Sequence, residues 1–182
     1  MHMVAAQQYW TAQMVRELPD DGMRYECVYG ELLVSPSPRE IHQRVLGRLY
    51  LAVARYLESE GEGMVYFSPA DISWRSDTLV QPDLFVVPRA QAREGWPAMQ
   101  TLWLAIEVLS PSTSRHDRFT KRVLYQREGV ATYWIVDPKA QLVEVWTPTD
   151  TEPVIARERV TWKVSGATAP LTIPLSELFA PV

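Results

Sequence analysis

The feature that most constrains this chain is Leu102-Trp-Leu-Ala-Ile-Glu-Val-Leu109, an apolar run broken once, by Glu107. With Pro97 before it and Ser110-Pro111 after it, the run reads as a central strand covered on both faces. An ionised carboxylate in such a strand is strongly unfavourable unless it is paired, hydrogen-bonded or metal-bound, so Glu107 needs a partner. A second candidate acid lies upstream in Val80-Gln-Pro-Asp-Leu-Phe-Val-Val87. There Asp83 stands at the mouth of a second β-prone run, behind a proline that only a strand start or an edge tolerates. Neighbouring strands of one sheet would bring Asp83 and Glu107 together, and two acids converging on one point make a site for a hard cation.

The chain has 182 residues, 47% of them hydrophobic, which suits a single well-cored domain spanning 1–182. No apolar run approaches the roughly 18 residues of a membrane span, and the N-terminus lacks the charged, apolar and small-residue pattern of a signal peptide. The expected compartment is therefore the cytoplasm, with no membrane partner. The single cysteine, Cys27, excludes an internal disulfide or a cysteine-rich zinc site and is expected to be buried and unpaired. A formal charge of -4 says nothing in favour of a broad nucleic-acid-binding surface, so any contact with a polyanion would have to be local.

In chain order, Met1-His-Met3 reads as partly a cloning remnant, and Thr11 caps a short helix that Pro19 stops. Arg24 to Val34 reads as a hairpin turning at Tyr29-Gly30, with Glu31 just past the turn. Ser37-Pro-Arg-Glu40 reads as a helix start, with Ser37 as N-cap, Pro38 in the first turn and Glu40 closing a capping box. The helix then runs to about Glu58 with Ile41, Val45, Leu49, Ala52, Val53 and Tyr56 as its buried stripe. His42 beside that stripe is either a satisfied histidine or a group facing a phosphate or metal.

Two short strands, a loop from Pro88 to Gln100, and a second loop at Ser110 to Asp117 flank the acid-bearing strands. A helix from about Arg118 to Glu128 follows, stopped by Gly129. Between Arg115 and Arg127 lie five Lys or Arg residues and one acid, either a solvated face or a local anion-binding patch. Lys121, Leu124 and Tyr125 share a face of that helix, so Lys121 points inward and asks for an acidic partner. Thr132-Tyr-Trp-Ile-Val136 and Gln141 to Trp146 form a hairpin around Asp137-Pro138. The sum is an α+β fold with a mixed central sheet flanked by helices and an N-terminal hairpin addition.

The order Tyr-Glu…Gly-Glu-Leu, Ser-Pro-Ser-Pro, Gln-Pro-Asp-Leu, Glu-Val-Leu-Ser-Pro-Ser-Thr, Asp-x3-Lys and Tyr-Trp-Ile-Val-Asp-Pro resembles the Uma-two family of restriction endonuclease-like proteins, within the PD-(D/E)xK nuclease-like superfamily. The likeness runs from about Tyr25 to Trp146 and weakly on to Phe179. It implies a restriction-endonuclease-like core and a Mg2+- or Mn2+-dependent endonuclease that hydrolyses DNA, double-stranded in the first instance, often as a homodimer. It implies Asp83 and Glu107 as metal ligands with the carbonyl of Val108, and Glu31 as an additional catalytic acid. Leu109 stands where the superfamily pattern has lysine, and the resemblance assigns that role to Lys121 on the next helix. Arg115, Arg118, Arg122 and His42 are then candidates for flanking phosphates. Two other readings remain open at this stage: a nucleic-acid-binding module on the same fold without catalysis, and a structural or interaction protein in which acids and lysine form only a buried ion pair.

Overall fold

The structure, a computed structural model, describes residues 8–182, so the first three residues lie outside it. Helix α1 (Ala12–Arg16) starts at Thr11, whose hydroxyl accepts from the Met14 amide. The hairpin β1 (Arg24–Val28) and β2 (Glu31–Ser35) turns at Tyr29-Gly30, both with positive φ (51° and 81°), the pairing that a two-residue turn between twisted strands requires.

Helix α2 (Glu40–Glu60) begins later than the Ser37 cap implies. Arg39 occupies the N-cap without a side-chain bond, because the Ser37 hydroxyl donates instead to the Gly22 carbonyl. The buried stripe is also turned: His42, Val45, Leu46, Leu49, Val53, Tyr56 and Leu57 face inward, while Ile41 is exposed.

Strands β3 (Gly63–Phe67), β4 (Ile72–Arg75), β5 (Thr78–Val80) and β6 (Leu84–Pro88) follow, so the run expected from Val80 to Val87 is divided between β5 and β6. Helix α3 (Arg89–Glu94) and a short 3-10 turn lead into β7 (Leu104–Val108). A π-helical segment (His116–Lys121) continues directly into α4 (Arg122–Arg127), after which come β8 (Tyr133–Asp137), β9 (Leu142–Trp146), β10 (Val154–Ala156), β11 (Arg159–Trp162), β12 (Leu171–Pro174) and α5 (Leu175–Leu178).

Six strands form the central sheet in the order β10-β9-β8-β7-β6-β3, and a second sheet has the order β2-β1-β5-β4. Among the described residues only β7 and β8 pair in parallel, a pairing that requires a crossover such as the helical one that joins them. The central strands read as near-continuous apolar runs because both faces are covered. Leu84, Val86, Leu104, Ile106 and Trp134 pack toward α2 and the C-terminal hairpin, whereas Phe85, Val87, Ala105, Tyr133 and Ile135 pack toward α4 and the second sheet. On the far side of β1, Cys27 is buried and unpaired beneath α1 with Leu79 and Val15.

Candidate active site

Asp83 and Glu107 meet because β6 and β7 run antiparallel with Leu84 opposite Ile106; one step further, the same register sets Asp83 beside Glu107. Both carboxyls lie on the face toward α4, where apolar alternation would otherwise put another hydrophobic side chain. The Val108 amide, the next one along β7, donates to Asp83 Oδ2 at 2.8 Å. That atom also contacts His42 Nε2 at 2.9 Å, and Oδ1 accepts from Arg24 Nη1 at 2.8 Å. Burial alone would raise the Asp83 pKa, but the His42 hydrogen bond and the Arg24 charge hold it well below the usual carboxylate range.

Glu107 is in the opposite situation. Its Oε1 accepts from Lys121 Nζ at 2.9 Å and from the Tyr125 hydroxyl at 3.1 Å. Burial nevertheless drives its pKa up against the Lys121 charge, and the neighbouring Asp83, Asp117 and Glu26 reinforce the rise. Lys121 Nζ also lies 2.8 Å from Glu26 Oε2 and 3.6 Å from Asp117 Oδ1. Burial would favour a neutral lysine, but these acids outweigh it and keep the ammonium charged. Glu26 is fixed in turn by the Gln81 amide at 2.7 Å.

The π-helical segment contributes both Asp117 and Lys121. Its wide turn, closed by the Arg122 amide on the Asp117 carbonyl, inserts an extra residue ahead of α4 while keeping both side chains inward. Asp117 is pushed up to about 6, by burial above all, with Lys121 opposing.

The residues Glu26, Asp83, Glu107 and Asp117 are all at most 2% exposed, and only Lys121 and Arg24 supply permanent positive charge among them. Asp117 Oδ1 has no hydrogen-bond partner among the described residues. No three of His, Cys, Asp and Glu among those residues are grouped as a ready-made metal cage. Two adjacent carboxyls set in an excess of negative charge do fit a small hard dication that retains much of its own water. Asp83, Arg24 and His42 line a cavity of about 600 Å³ together with Ser37, Ser68 and Gln81, so the cluster is reached from the Asp83 side.

The remaining candidate residues stand in different surroundings. Glu31 is exposed at the start of β2, opposite Val28. The acid that the hairpin sends inward is Glu26, because alternation along β1 turns Arg24 and Glu26 to the site and Cys27 to α1. His42 does not face solvent as a phosphate contact; it is 5% exposed and holds Asp83. Arg118 is engaged by Glu144 at 2.7 Å and Asp137 at 3.0 Å, and Arg122 lies over the Trp146 ring while bonding Gln126. Arg115 is exposed. Val108 enters through its amide, and Leu109 packs half-buried against the apolar layer around Tyr125 and Ile135. Sequence reasoning missed Arg24, Glu26 and Asp117; the four-residue spacing from Asp117 to Lys121 was the signal for the last.

The chain matches the family model Uma2, described as "Putative restriction endonuclease", over residues 12–176. Among solved structures it is similar to a putative nuclease belonging to DUF820 from Anabaena variabilis ATCC 29413, at 20% sequence identity and a TM-score of 0.77, with 94% of this chain and 98% of that chain covered. That likeness establishes the α+β fold. No curated protein matches the chain.

Proposed function

The chain belongs to the Uma2 family of restriction endonuclease-like proteins, and from that membership and the buried cluster we propose that it is a divalent-metal-dependent endonuclease hydrolysing DNA phosphodiester bonds, with residues 1–182 acting as one catalytic domain. The observation that carries this reading is the convergence of Asp83 and Glu107 from adjacent strand ends with Lys121 Nζ 2.9 Å from Glu107.

Asp83 and Glu107 would hold the ion. Mg2+ or Mn2+ bound there supplies Lewis-acid polarisation of a phosphate oxygen and lowers the pKa of a water. The residues of the chain do the rest. His42 and the Val108 amide fix the Asp83 carboxylate, and the Tyr125 hydroxyl fixes Glu107. Lys121, oriented by Glu26, places a permanent positive charge beside the carboxyl pair, where negative charge develops on the phosphate in the transition state. This is the work expected of the lysine that Leu109 replaces, delivered from the following helix.

The test is incubation of plasmid and single-stranded DNA with the purified protein, in Mg2+ or Mn2+ and in chelator. Cleavage should require metal. Asp83→Ala and Glu107→Ala should remove metal binding and cleavage together, whereas Lys121→Ala should keep metal binding and lower cleavage by on the order of 10²-fold, the scale for one transition-state stabiliser. Metal binding without cleavage in the parent would instead support a nucleic-acid-binding module, the reading that Leu109 favours.

A further inference from the structure

Arg24 stands at the boundary between the buried cluster and the open cavity. Its side chain is 20% exposed, against 2–3% for Lys121 and Asp83, and it lines the same cavity as Asp83 and His42. It also lines a second, narrower space of about 160 Å³ between Pro36–Arg39 and Ser110–Thr113. The guanidinium is used on one side only. Nη1 reaches Asp83 Oδ1 at 2.8 Å and also Ser68 Oγ and the Gln81 carbonyl, each at 3.3 Å. Nε and Nη2 bond no group among the described residues, although a guanidinium offers a planar fork suited to two oxygens at once.

Two consequences follow from that placement. A cation approaching Asp83 from the cavity competes with Nη1 for Oδ1, because both seek the same lone pairs. An anion entering the cavity meets the unbonded edge of the guanidinium, the permanent positive charge of the cluster that faces it. We infer that Arg24 is both the internal competitor of the divalent cation at Asp83 and the residue that grips the substrate phosphate once the cation has taken that carboxylate. The inference rests on the nuclease reading for its phosphate half, while the competition half is measurable without any nucleic acid.

The experiment uses Arg24→Gln and Arg24→Lys in the full chain, with folding checked by thermal melting. Mn2+ affinity is read from the loss of the free-ion electron paramagnetic resonance signal, and affinity for single- and double-stranded DNA is measured across salt concentrations in Ca2+. Arg24→Gln should bind Mn2+ several-fold more tightly than the parent and DNA about tenfold more weakly, its salt slope reduced by about one phosphate. Arg24→Lys keeps the charge and loses the fork, so Mn2+ affinity should stay near that of the parent while DNA affinity falls several-fold. If Arg24→Gln does not fold, Arg24→Met, which also removes the charge, carries the competition half with the same expected and overturning outcomes, and Arg24→Lys carries the phosphate half.

Unchanged or weaker Mn2+ binding by Arg24→Gln overturns the competition, as does a parent that binds no Mn2+. Unchanged DNA affinity in Arg24→Lys overturns the phosphate role. A parent that binds Mn2+ in competition with Arg24 yet cuts no DNA would sink the nuclease reading and leave the competition standing.

Discussion

Lys121 shows how much of this molecule depends on a single charge. Its ammonium lies among three carboxyl groups and is 2% exposed, so a neutral side chain of similar length would leave those acids facing one another out of water. Breaking a buried ion pair from one side typically costs about 3–5 kcal/mol. Lys121→Met should therefore destabilise the protein by about that much in urea unfolding at pH 7.5, and by less near pH 5, where Glu107 and Asp117, both raised by burial, hold protons and the repulsion is weaker. An equal loss at both pH values would show that lost packing, and not charge, is responsible. Nothing comparable applies to Glu31, whose side chain is already in solvent.

Among the elements, the helical crossover from β7 to β8 shows where sequence and structure part. Asp83, Glu107 and Lys121 are legible in the sequence because each interrupts an apolar pattern whose period is plain, and an interrupted pattern signals a buried charge. Arg24 and Glu26 are not, because β1 is covered on both sides, by α1 and by the central layer, so its alternation separates two interiors and not inside from outside. The basic stretch is misleading for a related reason: charge is visible in a sequence, but its partners across the sheet are not. Arg118 is neutralised by Asp137 and Glu144 on the β8–β9 hairpin and ties the helix to it. Arg118→Ala should accordingly lower stability by about 1 kcal/mol, the upper range for a partly exposed pair, and leave the salt dependence of DNA binding unchanged. Arg115→Ala, at an exposed position, should reduce that slope by up to about one phosphate with no loss of stability. A flattened slope in Arg118→Ala would return that residue to the DNA-binding surface.

At the scale of the whole molecule, the cluster makes the metal-free protein sensitive to pH in a definite direction. Asp117 titrates near 6 when folded against about 3.8 as the ordinary value, so between those limits the folded state holds a proton that the unfolded state has released. Stability from this group is then lost as pH rises through about 6. Asp83 has the opposite sign: its lowered pKa adds stability above the ordinary carboxylate range, which is lost on acidification. Asp117→Asn removes the first effect alone, so in chelator its stability relative to the parent should improve as pH rises from about 4 to about 6 and level off above about 7; a constant difference would mean that Asp117 is charged throughout. The joint between the sheets has a consequence of another kind. Only Gln81, Pro82 and Asp83 separate β5 from β6, a bridge of about 14 Å at full stretch, so Glu26 on one sheet and Glu107 on the other are leashed to one place before either has found Lys121. During synthesis the four residues Arg24, Glu26, Asp83 and Glu107 leave the ribosome ahead of the lysine. For that interval the nascent chain carries Glu26, Asp83 and Glu107 with Arg24 as the one cation of the cluster, and the crossover helix brings the second.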